Sequence, residues 1–252
     1  MHDPTFHQWM TCLEIGLAVV TLLSLLVVNA PYGRHIRRGW GPQIPSRLGW
    51  VAMEFPAVGV FLWFYSQGAH RWDLVPLALV SLWQVHYIHR TFIFPFRLKI
   101  GGKKMPAVIA LLAIVFNVLN AYINATWLSQ LGTYPVEWFY DPRFIAGVAI
   151  FAAGFWINYT SDRILMNLRK PGETGYKIPT GGLYRVVSCP NYLGEILEWT
   201  GFAIASWSLP GLAFALYTAA NVGPRAFANH RWYKENFENY PAERKALIPF
   251  VW

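Results

Sequence analysis

Apolar and polar residues alternate along this chain in long blocks rather than in short periods. Seven apolar runs, at about 10–30, 48–66, 74–93, 105–127, 143–161, 191–207 and 210–228, are separated by polar connections. Each is close to the ~20 residues that a helix rising about 1.5 Å per residue needs to cross a bilayer. The last two runs are shorter and meet at the Ser-Trp-Ser-Leu-Pro-Gly turn of 206–211. The pattern predicts an all-α membrane protein with seven transmembrane helices. With no linker and no internal repeat, it predicts a single integral membrane domain over 1–252.

The basic residues orient these helices. Of 21 Lys and Arg, all but Arg71 and Arg143 fall on alternate connections, around 31–47, 89–104, 162–190 and the tail from 225. By the positive-inside rule the N-terminus is outside and the C-terminus cytosolic. The short outer connections leave no room for an outer module, whereas the inner ones are long enough to build a cytosolic cap. Composition agrees: 55% of residues are hydrophobic and only 13% charged, and the 13 Trp suit a protein with many membrane–water boundaries. The net charge of +8 sorts by topology, so it does not point to nucleic acid. Cys12 and Cys189 give neither a disulfide framework nor metal spacing, and the first ten residues lack the basic start of a signal peptide. No metal is expected either, because His86 and His89 have no third ligand and no H-E-x-x-H occurs.

The candidate chemistry gathers between 158 and 199. Asn158, Asp162, Leu165 and Arg169 recur at i, i+4, i+7 and i+11, one stripe of a helix. Asn191, Glu195 and Trp199 repeat the rhythm, with Glu198 one position away, and Arg225, Asn229 and Tyr233 make a third stripe. All three sit at the cytosolic side, so they predict a polar pocket open to a charged, soluble cofactor. Neither a G-x-G-x-x-G nor a Walker loop is present, and Gly181-Gly182 is too weak a signal for a phosphate cradle. Within the spans, Glu54 is an ionisable group at membrane depth, which is costly and usually functional. Together with Tyr87 it could offer two hydrogen-bonding groups to one ligand oxygen. Glu14 reads instead as a carboxylate near the outer interface, and Asn117, Asn120 and Asn124 as interhelical hydrogen bonding.

The motifs LRKPGE, YKIPTGGLY and NYLGEILEW, then RAF, HRWY and RKALIPF, with VHYIHRTF and EFP upstream, resemble the steroid 5α-reductase family over nearly the whole chain. That resemblance implies seven transmembrane helices, NADPH as cofactor, and reduction of the Δ4 double bond of a 3-oxo-steroid taken from the lipid phase. It implies that Glu54 and Tyr87 hold the steroid carbonyl. It further implies that Asn158, Asp162, Arg169, Lys177, Asn191, Glu195, Trp199, Arg225, Asn229 and Tyr233, joined by Tyr32, line the cofactor pocket. Departures from the animal pattern are Met53 where Gln often precedes the Glu, Lys177 in place of Arg, and Asn229 where a His is found; Lys keeps the charge but loses the bidentate fork. Three other readings are open: a membrane enoyl-thioester reductase, an isoprenylcysteine-type methyltransferase using S-adenosylmethionine, and a sterol-binding or sensing protein. The Glu54–Tyr87 pair and LRKPGE weigh against the methyltransferase, and the polar stripes against the sensor. The expected partners are a steroid and membrane lipids, with no nucleic acid, for a monomer in a bacterial inner membrane rather than the endoplasmic reticulum.

Overall fold

A computed structural model describes residues 3–28, 35, 39–98, 102–170, 173 and 175–251. Each of the seven apolar runs is helical. Helix α1 (Pro4–Val27) starts where the Asp3 carboxylate accepts a hydrogen bond from the Thr5 amide, with Pro4 in the first turn. Helix α2 (Ser46–Ser66) follows the strand β1 (Gln43–Pro45). Helix α3 (Leu74–Ile88) passes through a π-helical turn over His89–Ile93 into the short α4 (Phe94–Arg97). The strand β2 (Lys104–Pro106) leads into α5 (Ala107–Thr126), which also ends in a π-helical turn, Trp127–Leu131. The remaining helices are α6 (Pro142–Asn167), α7 (Pro190–Ser206) and α8 (Leu209–Asn236).

Among the described residues, four helices are long and apolar enough to cross a bilayer: α1, α2, α5 with its π turn, and α6. The chain is therefore an all-α protein with the spans of an integral membrane protein. The other three predicted spans are helices of a different kind. The α-helical part of α3 is 15 residues long and α7 has 17, whereas α8 has 28 but carries its charges in its second half.

Packing follows the small residues. Gly147 and Gly154 on α6 face Gly194 and Gly201 on α7, so the two backbones touch along their length. A Cβ on any of the four would fall on the partner's backbone nitrogen, at Ala205, Glu198, Asn158 and Phe151 respectively. Without a hydrophobic drive between helices in lipid, such close approach is what gives dispersion its reach. Beside this pair, α2 packs on α5, α7 on α8, and the first helix α1 on the last, α8. An aromatic core joins them: the Trp83 ring centre lies within 5.5 Å of those of Phe61, Tyr87, Trp199, Phe202 and Phe214.

Two connections are tied to each other. β1 and β2 pair antiparallel, Gln43 opposite Pro106 and Pro45 opposite Lys104. At the other end the tail returns, with Val187 bridged to Lys245 and the Arg244 guanidinium donating to the Pro179 carbonyl at 3.0 Å. The α7–α8 turn is closed by Trp207 at φ 45° and by Ser208, whose hydroxyl accepts from the Gly211 amide.

The polar residues inside the spans are partly relocated. Asn117 Nδ2 donates to the Met53 carbonyl at 2.6 Å, the expected link between helices, whereas Asn124 bonds to Asn120 within α5. Glu14 is not at an interface. Because α1 begins at Pro4, Glu14 falls in mid-helix and is fully buried.

Candidate active site

Helix contact through glycine sets the site's geometry. Because Gly194 admits the Asn158 backbone, the polar stripe of α6 lies against that of α7. Asn158 Nδ2 donates to the Asn191 carbonyl at 2.9 Å, and Asn191 Nδ2 donates to Asp162 Oδ1 at 3.1 Å. The other oxygen, Asp162 Oδ2, accepts from Arg90 Nη1 at 3.3 Å. Arg90 itself lies against two touching rings, its guanidinium carbon 4.5 Å from the centre of Phe94 and 5.1 Å from that of Trp50. Packing on faces lets a guanidinium sit in an apolar wall while its edges still donate.

These residues line a cavity of about 380 Å³, within the range of small-molecule sites. Asn158 and Asp162 come from α6, and Arg169 and Lys177 from the connection after it. Asn191 and Glu195 come from α7, and Arg225, Asn229 and Tyr233 from α8. Met105 comes from β2, Lys103 from just before it, and Ser46 from the first residue of α2. Cations therefore share the lining with amides and carboxylates, of which Asn158 and Asp162 are buried. At the rim Arg225 donates to Tyr192 Oη at 3.3 Å and lies over its ring, and His35 meets Asn229 at 3.2 Å. Lys177 is paired with Glu173, and that ammonium together with the Lys170 amide holds the Glu173 carboxyl below the usual carboxylate range. Below the cavity His230 bonds to Ser188 Oγ at 2.6 Å, and burial lowers its pKa.

Two expected members stand apart from this lining. Trp199 packs in the aromatic core, its ring 4.4 Å from Phe214. Tyr32 lies outside the described residues. Glu54 and Tyr87 do not line the cavity either, but they fall within each other's electrostatic reach, and Arg90 and Glu195 act on both. Tyr87 is 4% exposed. Neither side chain makes a hydrogen bond or ion pair to another described residue. Tyr87 is buried and Glu54 half-buried, and polar groups at this depth are normally paired, so these two unpaired ones mark a place where something else is bound.

Arg90 and the pair behind it were not singled out from the sequence. His86 Nδ1 bonds to Glu198 Oε1 at 2.8 Å, and Glu198 is fully buried. His86 and Arg90 are four apart, so their shared face was legible, but their partners on α6 and α7 were not.

A family model described as 3-oxo-5-alpha-steroid 4-dehydrogenase matches residues 103–252. The chain is 43% identical over 252 residues to steroid 5-alpha-reductase DET2 of Gossypium hirsutum, covering 98% of this chain and 97% of that protein. It is 44% identical to 3-oxo-5-alpha-steroid 4-dehydrogenase 1 of Bos taurus, over 95% of this chain and 94% of the relative. To the Homo sapiens protein of the same name it is 44% identical, over 88% and 86%. These relatives are from a plant and from animals, so they lend no support to the expected bacterial inner membrane. A family model over residues 103–252 and relatives 43–44% identical over nearly the whole chain decide the matter: the chain belongs to the 3-oxo-5-alpha-steroid 4-dehydrogenase family, the steroid 5-alpha-reductases.

Proposed function

We propose that this protein reduces the Δ4 double bond of a 3-oxo-Δ4-steroid with NADPH, giving the 5α-3-oxo-steroid. The observation that carries the reading is that residues from α6, α7, α8 and the connection after α6 line one cavity that combines cations with amides and carboxylates. That donor set fits a phosphorylated dinucleotide. Arg169, Lys177, Arg225 and Lys103 would hold its phosphates. Asn158, Asn191, Asp162 and Glu195 offer the donors and acceptors that ribose hydroxyls and a carboxamide need. NADPH when bound supplies a hydride to the β-carbon of the enone.

The chain's own work lies around the carbonyl. Addition to the β-carbon puts negative charge on the carbonyl oxygen, and Tyr87 would donate a hydrogen bond to it. Glu54 would either donate as the neutral acid or orient the phenol. Trp83, Trp199 and Phe214, packed around Tyr87, exclude water, so each hydrogen bond acts in a low-dielectric setting. Aromatic faces also suit a flat, apolar ring system. Arg90, bonded to Asp162 and within range of Glu54, is a positioning residue that ties the carbonyl end to the cofactor end.

The reading includes seven spans in one domain, with the N-terminus outside and the cavity facing the cytosol. Reporter fusions after residues 40, 100, 175 and 252 should all read cytosolic, and one at 135 external. An external signal at 175 would put Lys177 on the wrong side for a cytosolic cofactor and sink the arrangement.

The enzymatic test uses purified protein, a Δ4-3-oxo-steroid and either nicotinamide cofactor. NADPH should be strongly preferred, and Arg169→Ala should raise KM for NADPH by roughly one to two decades, the loss of one charge-assisted contact of ~1.5–3 kcal/mol. KM for steroid should barely move. Equal use of NADH and NADPH by the unmutated protein would remove the 2′-phosphate from the argument.

A further inference from the structure

Away from the cavity, α6 turns a second face outward. Trp156, Tyr159 and Arg163 recur on it at i, i+3 and i+7, and Trp156 is 65% exposed. α4 brings Arg97 alongside, where Arg97 Nη1 donates to Tyr159 Oη at 3.5 Å. The Arg163 guanidinium lies over the same ring, 5.7 Å from its centre. Two cations from different elements thus converge on one phenol. Neither has an ion pair with a described residue. The adjacent acid, Asp162, is buried on the opposite face and engaged by Arg90 and Asn191. Tyr159 is held from behind by His89, 5.4 Å between ring centres, and by Phe155 at 6.3 Å. Because its oxygen accepts from Arg97, its own proton can be donated outward.

Two guanidiniums held together without an acid repel each other unless an anion sits between them. The surface in question is the flank of a helix long and apolar enough to cross a bilayer, at the level where it becomes polar. An exposed Trp there marks the headgroup layer, and long arginines reach into it while their stems stay in apolar surroundings. We propose that Arg97, Arg163 and Tyr159 hold the phosphate of one anionic phospholipid, with Trp156 and the exposed Phe96 flanking its glycerol and upper acyl chains. Charge complementarity selects this occupant, since one phosphodiester charge shared by the two arginines relieves their repulsion and a headgroup without a cation of its own adds none back. Bidentate guanidinium–phosphate bonds add geometry that a single ammonium lacks.

The test is native mass spectrometry of the full chain released from neutral detergent, titrated with phosphatidylglycerol or with phosphatidylcholine. It needs neither steroid nor cofactor, so its failure is distinct from failure of the enzymatic reading. The protein should retain one phosphatidylglycerol in preference to phosphatidylcholine. R97A/R163A should weaken that binding by about thirtyfold, from ~1 kcal/mol for each of the two basic residues near the surface. R185A/R231A, which removes the same charge elsewhere, should keep it. Y159F, a change on an outward face that leaves the packing atoms in place, should weaken it about threefold to tenfold. Equal loss in both double variants, no preference between the two lipids, or an unchanged Y159F would each overturn the proposal.

Discussion

Gly154→Ala should lower the melting temperature of the purified protein by about 10 °C and strip away most of its cofactor binding. The added Cβ would land on the backbone nitrogen of Glu198, which cannot swing aside as a side chain could. The helices must then part or rotate, at a cost of about 3–5 kcal/mol, the upper end of what single core substitutions do. A protein of this size shifts its Tm by roughly 2–4 °C per kcal/mol. Separation would also break the Asn158–Asn191 and Asn191–Asp162 bonds, so the cavity wall is lost with the packing. Gly16→Ala is the matched control. Nothing lies within 4 Å of its Cβ position, and the better helix former should leave Tm unchanged or about 1–3 °C higher. If both variants melt alike, α6 and α7 do not meet backbone to backbone.

Glu54→Gln and Tyr87→Phe should each cut single-turnover oxidation of NADPH with a Δ4-3-oxo-steroid by about two to three decades, by analogy with removal of one oxyanion donor. Affinity for NADPH should stay nearly intact, because neither residue lines the cavity. The double variant should lose less than the product of the two effects, as groups acting on one oxygen do. A purely structural Glu54 would hold helices together, and its loss would lower stability while the rate followed the folded fraction. That alternative is weakened by the absence of any hydrogen bond or ion pair from Glu54 to a described residue. A Glu54→Gln protein turning over at the wild-type rate would take Glu54 out of the mechanism.

Much of this was legible because helical periodicity is local. Asn158 and Asp162, and likewise Asn191 and Glu195, share a face by spacing alone, and the structure brings all four to one cavity. Trp199 shows where spacing misleads. Eight residues on, a helix has turned about 80° past Asn191, enough to swing the indole off the cavity and into the core around Trp83. Glu14 was misplaced because the apolar run begins near residue 10, whereas Pro4 and the Asp3 cap start the helix six residues earlier. His7 lies in that polar-looking start, yet it is buried and bonds to the Ile123 carbonyl at 2.8 Å. Arg90 and the His86–Glu198 pair are matters of which helix meets which. The π-helical turn at His89–Ile93 also shifts the helical phase of everything after it, so the direction of α4 cannot be read from a 3.6-residue count. The four glycines at seven-residue spacing were visible in the sequence, but nothing local says that α6 and α7 present them to each other.

The packing of α1 against α8 bears on how the protein is made. Synthesis delivers α1 ahead of α2–α7 and α8 after them, so α1 must wait in the bilayer while about 180 residues are made before its main neighbour arrives. During that interval the Glu14 carboxyl, enclosed in the finished protein, faces lipid or a provisional partner. A ribosome stalled before residue 209 would leave a bundle with an open seam and an orphaned acidic side chain, the kind of surface that membrane quality control removes. Completion of the last helix therefore closes the fold and, by supplying Arg225, Asn229 and Tyr233, finishes the cavity in the same step.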